Sequence, residues 1–553
     1  MARTISPIDL RMDDLERLVD RTRHAPLTED EHATLKAAIN TLGYVAQLLE
    51  QQGTTLASLR HLLLGAQTEK TRDVLARAGV AVDASARPTE MAPDTSAEAP
   101  CTARRRGHGR HAADAYGGAA HVAVPHDRVH HGDRCPLCVK GKVYAQRDPG
   151  VLIRLRGQAP ISGTVYELEK LRCNLCGEVF TADPPAGVGS EKYDATTGAM
   201  IALLKYGSGM PFHRLERLQA DLHIPLPAST QWEIVDDVAT RIRPILSELI
   251  RHAANGEVVH NDDTSMTVLD LQRPDAPRGD PDDVSPERTG VFTSGIVATR
   301  DGHRIALFVT GRRHAGENLA RVLAERTVDL GPPIQMCDAL SRNFPKPLAV
   351  IVGHCLAHAR RHVVEVASSF PAECRRILET LGTVYRHDAE AREQALAPEA
   401  RLAYHQTHSG PVLEDLHGWL TAQLADHLVE PNSSLGQAIT HVLKHWGPLT
   451  LFLRQAGAPL DNNIVERSLK KAILHRKNSY FFKTPNGAHV GDLFMSLIHT
   501  CELAGVNPFQ YLTALQRHAD ALAPNPTAWL PWTYLDALAA SAVTVSVSSS
   551  GDG

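Results

Sequence analysis

Carboxylates that can gather around divalent cations stand at three places in this chain. Residues 257 to 270 read EVVHNDDTSMTVLD, with two adjacent aspartates in an apolar, β-branched run. Successive side chains on a strand point to opposite faces, so Val258, His260, Asp262 and Thr264 line one face and Val259, Asn261 and Asp263 the other. At most one of Asp262 and Asp263 looks into a given site. PIQMCDAL carries Asp338 at the end of a strand-like run. In APLDNNIVERSLKKAILHRKNSYFF, Asp461 can cap a helix that presents Glu466. The ordinary reading of Glu466 is a surface residue paired with Lys470 at i+4. Against it stand six Lys/Arg and no acid between 467 and 483, a run that repels itself unless it faces a polyanion.

Four of the nine cysteines fall as CPLC (Cys135, Cys138) and CNLC (Cys173, Cys176), separated by 34 residues. Two such knuckles match one tetrahedral, four-thiolate zinc site, which is structural because no coordination position stays open. Disulfides or redox motifs are the alternatives; a reducing cytoplasm disfavours the first, and one CxxC suffices for the second. Cys101, Cys337, Cys355, Cys374 and Cys501 are scattered and read as linker or core residues.

The elements that must position the carboxylates follow a recognisable order. Strands are expected at 257–269, 291–299, 303–310, 333–340 and 348–354, with a Pro/Asp-rich loop at 271–289 and a helix at 316–326. Three consecutive strands and then a β-α-β crossover give the mixed sheet of a ribonuclease-H-like fold. In that topology Asp338 ends the strand beside the one carrying Asp262, and a helix packed behind the sheet brings the third acid. Helix-rich sequence follows His354 and reads as an all-helical insertion at about 366–450. His354, His358, Arg360 and Arg361 are expected on its first helix, the histidines as metal ligands or as packing and phosphate contacts.

Upstream lie segments suited to nucleic acid. Arg104, Arg105, Arg106 and Arg110 surround glycines in TARRRGHGRHAADAYGG, either a minor-groove segment or a solvated basic one. Residues 195–206, 211–222 and 229–242 parse as three helices. Ser229 and Thr230 are expected to cap the third, and Ser229, Thr230 and Gln231 to read DNA from its start, as in a helix-turn-helix; a plain structural bundle is the alternative. Leu35, Ile39, Leu42, Ala46, Leu49, Leu56 and Leu63 repeat at three- and four-residue steps, a coiled-coil seam or an amphipathic helix, and residues 81 to 100 form a flexible linker. The closing SAVTVSVSSSGDG is expected to be disordered.

Composition sets the frame. With 553 residues, 43% hydrophobic and 22% charged, the chain is an ordinary soluble multidomain protein, and the absence of a signal peptide or an eighteen-residue apolar run implies a cytoplasmic address and no membrane partner. A net charge of −5 is a poor overall match to DNA, so binding must use local patches.

Taken together, LRHLLLGAQTEK (59–70), RGHGR (106–110), the two CxxC knuckles, LLKYGSGMPFHRLERLQ, DDT at 262–264, HCLAHARRHVVE (354–365) and DNNIVERSLKKAILHRKN resemble the transposases of the insertion sequence sixty-six family over nearly the whole chain. The resemblance implies an acidic-triad transposase with Asp262, Asp338 and Glu466 as its carboxylates. It matches the first acid of the pair to the catalytic position; Asp263 stands where a glutamate is usual. MCDALSRN lacks the aromatic and glycine residues that often follow the second aspartate.

The expected chemistry is in-line attack on a DNA phosphodiester with two magnesium or manganese ions about 3.5 to 4 Å apart. Water first frees a 3′-hydroxyl at the element end, and that hydroxyl then attacks target DNA. Lys470, Arg476 and Lys477 are expected to hold phosphates. The expected architecture is multidomain α+β: a helical coiled-coil region (1–80), a basic linker (81–120), a zinc ribbon (121–190), a helix-turn-helix domain (191–253), a ribonuclease-H-like catalytic domain (254–500) and a C-terminal region (501–553). Partners are element ends, target DNA, further copies of the chain and small accessory proteins encoded by such elements. Two other readings stand beside it: a DNA-binding regulator with an inactive nuclease domain, and a metal-dependent endonuclease that does not join strands.

Overall fold

The computed structural model describes residues 158–172, 179–189, 191–273 and 288–548, together with 28, 71, 73, 74, 124, 128, 130–138 and 140–144. The chain divides into two compact units, 1–91 with 247–473 and 92–246 with 474–553. The expected coiled coil, the flexible linker and the Arg/Gly segment lie outside the described residues.

In the second unit, β1 (Lys170–Arg172) pairs antiparallel with β2 (Val179–Thr181). Asp194 caps α1 (Ala195–Ala202) by accepting the Thr197 N–H, and a wider π turn over Leu203–Gly207 ends it. Then come α2 (Phe212–Asp221) and α3 (Ala228–Ala254), whose residues from 247 onward belong to the first unit. The third helix is twelve residues longer at its C-terminal end than the sequence suggests. Pro244 sits inside it, where a proline normally breaks a helix. Val235, Val238, Ile242, Ile245 and Leu249, all buried at three- and four-residue steps, carry the helix past that break.

The first unit is built on a five-stranded mixed sheet. β3 (Val258–Ser265), β4 (Phe292–Arg300) and β5 (His303–Gly311) form an antiparallel meander. The chain crosses over through α4 (Ala315–Leu323) to β6 (Ile334–Cys337), which runs parallel to β3, and then to β7 (Ile351–His354). The strand order is β5-β4-β3-β6-β7. The strand carrying Asp262 is therefore central, and Ile296, Val297 and Ala298 of its neighbour β4 are fully buried. Gly316 has no room for a side chain, since a Cβ there would lie 2.4 Å from the Phe344 carbonyl oxygen. This close approach clamps the start of α4 onto the turn after β6.

Beyond β7 the described elements are helical: α5 (Leu356–Val366), α6 (Pro371–Glu393), α7 (Pro398–His408), α8 (Gly410–Ala425) and α9 (Ser434–Lys444). They share a core that includes Leu378, Leu416, Leu435 and Ile439. His354 is not on the first helix as expected; it ends β7, and Cys355 occupies the cap of α5. The chain returns to the sheet in α10 (Asn463–Ser479).

The remaining helices, α11 (Pro485–Leu503), α12 (Pro508–Arg517) and α13 (Tyr534–Ser548), belong to the second unit. There α12 packs on α1 and α11 on the π turn, where Tyr206 stacks on Phe494 at 5.3 Å. Residues 474–500, expected in the catalytic domain, thus pack with the three-helix segment instead. The tail expected to be disordered from Ser541 is helical as far as Ser548. Among the described residues no helix is long and apolar enough to cross a membrane.

Candidate active site

Asp262 pairs across the sheet with Gly295, so the two residues address the same face. A Cβ on Gly295 would come within 3.0 Å of Leu469 and 3.2 Å of Val465, which identifies that face as the one covered by α10. Glu466 follows Val465 directly. On the other flank, β3 and β6 are in register with His260 opposite Met336. Continued by two residues, this register sets Asp338 level with Asp262. The register and the cover by α10 thus bring the three acids expected from the sequence towards the same end of the central strand, where the charges of Asp338 and Glu466 act on Asp262.

Buried amides tie together the segments that carry these acids. Asn462, fully buried at the start of α10, donates from Nδ2 to the Asn261 carbonyl at 3.2 Å, and its Oδ1 lies 3.1 Å from His260 Nδ1. Because the amide nitrogen is already committed to a carbonyl, Oδ1 must accept and His260 must carry its proton on Nδ1. Burial pushes His260 down to about 4, which keeps the ring neutral. The Asn462 backbone N–H also reaches Cys355 Sγ at 3.2 Å. On the other side, Asp338 Oδ1 accepts from the Leu340 N–H at 3.2 Å and from the Asn343 amide. The Asn343 carbonyl in turn accepts from Asn261 and Gln335 at 2.8 and 2.7 Å.

Asp263 does different work on the opposite face. Its side chain is 2% exposed, its Oδ2 lies 2.8 Å from His314 Nδ1 and accepts the Ala315 N–H, and Arg342 approaches Oδ1 at 3.4 Å. An anion at the N-terminus of α4 is favourably placed against the helix dipole, so Asp263 secures the crossover helix.

Charge is concentrated where the acids meet. Burial, and after it the Asp338, Asp263 and Glu466 carboxylates, push Asp262 up to about 7 despite the hydrogen bond it accepts from the Asp263 N–H. One further group joins the cluster: His358 Nδ1 stands 3.6 Å from Glu466 Oε1.

Residues 191–490, more than half of the chain, match the family described as Transposase IS66 family. The chain belongs to this transposase family. An uncharacterized protein of Sinorhizobium fredii, y4jD, is 29% identical over 335 residues, 58% of this chain and 61% of that protein. A second from the same organism, y4hP, is 26% identical over 399 residues, 67% of this chain and 68% of that protein. The match thus spans about three fifths of the length of the first relative.

The other residues singled out in this IS66-family chain fare unequally. Gln231 is fully buried and donates to the Leu226 and Phe212 carbonyls at 3.0 and 3.1 Å, so it ties α2 to α3 and has no amide to offer DNA. Ser229 is exposed and Thr230 half-buried, but α3 begins at Ala228, which places both inside the first turn and not at its cap. Lys470 and Lys477 are exposed and Arg476 half-buried on α10. Arg104, Arg106 and Arg110 lie outside the described residues, as do Cys173 and Cys176. Cys135 and Cys138 form a tight knuckle: the Cys135 N–H donates to the Gly141 carbonyl at 2.8 Å, and the Gly141 N–H reaches Cys138 Sγ at 3.4 Å. Sequence reasoning assigned nothing to Asn462, His260 or Asn343. The DNN-x-x-E spacing was the visible signal for Asn462, since it sets a buried amide one turn ahead of the glutamate.

Proposed function

We propose that this chain is an acidic-triad DNA transposase in which Asp262, Asp338 and Glu466 hold two magnesium or manganese ions. What supports the reading is the placement of these three acids towards the same end of β3, with Asp262 pushed up to about 7 by burial and then by the charges of its acidic neighbours. The donor set fits the ions, since clustered carboxylate oxygens suit hard cations. Bound there, such ions supply an activated oxygen nucleophile and stabilise the leaving oxygen. The strand order, with three antiparallel strands followed by a parallel crossover pair, is that of ribonuclease-H-like nucleases and supports the same reading. On this reading Asp262 would serve both ions, and Asp338, whose Oδ1 accepts from the Leu340 N–H and the Asn343 amide, and Glu466, one turn beyond the Asn462 tie, would each complete one. Lys470, Arg476 and Lys477 contact phosphates, which positions the scissile strand without reading its sequence. Water attack at the element end frees the 3′-hydroxyl, and attack by that hydroxyl joins it to target DNA.

We also assign a structural zinc to Cys135, Cys138, Cys173 and Cys176. The Gly141 N–H aimed at Cys138 Sγ is the kind of contact that stabilises a ligating thiolate.

Asp262→Asn tests the triad. An amide is a poor ligand for a hard cation yet nearly isosteric, so cleavage of end DNA should vanish while binding to it survives. Cleavage at the wild-type rate by that variant rules the triad out.

A further inference from the structure

Cys355 caps α5, His358 stands one turn further along that helix, and Glu466 faces them from α10. One ligand atom of each, the sulfur, a ring nitrogen and a carboxylate oxygen, lie within 4.8 Å of one another. Cys355 is buried, whereas the side chains of His358 and Glu466 are 28% and 30% exposed, so the cluster has a solvent side through which an ion can enter. His358 Nδ1 is itself buried, and at 3.6 Å from Glu466 Oε1 it has no hydrogen-bond partner among the described residues. The sulfur already accepts the Asn462 N–H and sits at a helix N-terminus, two features that stabilise a ligating thiolate.

This donor set differs in kind from the carboxylate cluster beside it. Thiolate and imidazole select zinc-like cations, whereas carboxylates alone suit magnesium. Three protein donors also leave a fourth tetrahedral position open, unlike a closed structural zinc site.

We propose that Cys355, His358 and Glu466 form a binding site for a thiophilic divalent cation, zinc being the natural one, that shares Glu466 with the carboxylate triad. On binding, the Cys355 thiol releases its proton to solvent and its sulfur takes the ion. Without the ion, burial pushes that thiol up to about 12 and the sulfur stays protonated. An occupied site withdraws Glu466 from the hard cations and so inhibits cleavage, a consequence that rests on the triad reading; the binding itself does not.

Cobalt(II) is the probe, because its thiolate complexes absorb where its complexes with nitrogen and oxygen do not. The full chain titrated with cobalt should show more thiolate-to-cobalt absorption than Cys355→Ala, by about one single-thiolate site, with the CxxC knuckles as the common background. His358→Gln, which leaves the buried sulfur in place, should lose the same increment, and far-ultraviolet circular dichroism checks that each variant is folded. Superimposable spectra for the three folded proteins overturn the site.

In magnesium-dependent cleavage, each protein is compared with its own zinc-free rate. Zinc should inhibit wild type, and Cys355→Ala should need at least about tenfold more, since even outer partners of metal ligands are worth that much. Equal sensitivity overturns the competition. If the chain fails to cleave at all while the cobalt increment is present, the triad reading falls and the thiophilic site stands.

Discussion

Asp262 and Asp263 are chemically identical neighbours, and the pleat alone separates their fates. One faces α10 and the end of the sheet where Asp338 and Glu466 act on it; the other faces α4, where a histidine, an arginine and a backbone N–H surround it. The difference has a consequence for stability. Asp262 is raised to about 7 in the folded protein, against about 3.9 for an aspartate in an unfolded chain. Between those values the folded state binds the extra proton, so its contribution is present at low pH and is lost as pH rises through about 7. In buffer free of divalent cations, wild type should therefore lose more thermal stability between pH 5 and pH 8 than Asp262→Asn, which has no such proton to lose. Melting temperatures of the two proteins at both pH values test this. An equal loss means that Asp262 ionises normally and that the acids are further apart than the cluster requires.

At the scale of elements, the glutamate depends on how α10 is held. Asn462→Ala removes the tie to His260 and to the Asn261 carbonyl, leaving two buried polar groups without their partner at a cost of about 1–3 kcal/mol. Cleavage by the folded variant should fall much further than the loss of folded protein explains, because Glu466 lies one turn from the broken tie. Denaturant unfolding gives the first quantity and turnover at a temperature where the variant is folded gives the second; full turnover despite the stability loss removes Asn462 from the positioning role. The strands and the all-helical insertion were legible in the sequence because period-two and helical patterns are local. Tertiary ties were not. Gln231 at the start of a helix looks like a recognition residue, and only the placement of α2 shows its amide spent on two carbonyls. Likewise, the extension of α3 past Pro244 depends on a buried face that propensity does not see.

For the molecule as a whole, 58 basic residues against 63 acidic ones make a protein that DNA would not attract through its net charge. If the chain binds DNA as proposed, binding must come from local runs, and the segment from 467 to 483, with six Lys/Arg and no acid, lies beside a candidate catalytic acid. On α10 itself, Lys470 and Lys477 fall one and three turns beyond Glu466 on the same side of the helix, as the 3.6-residue period requires. If these lysines and Arg476 neutralise phosphates, each contact releases counterions and steepens the fall of affinity with salt by about 0.9 per contact on a log-log scale for duplex DNA. Replacing Lys470, Arg476 and Lys477 together by alanine should then flatten that slope and weaken binding alike for end DNA and unrelated DNA, since phosphate contacts carry no sequence information. Affinities for both DNAs at four or five salt concentrations decide the matter. A solvated helix face predicts an unchanged slope. A changed preference between the two DNAs with the slope intact would mean that this helix reads bases, and that the discrimination expected of the Arg/Gly segment resides on α10 instead.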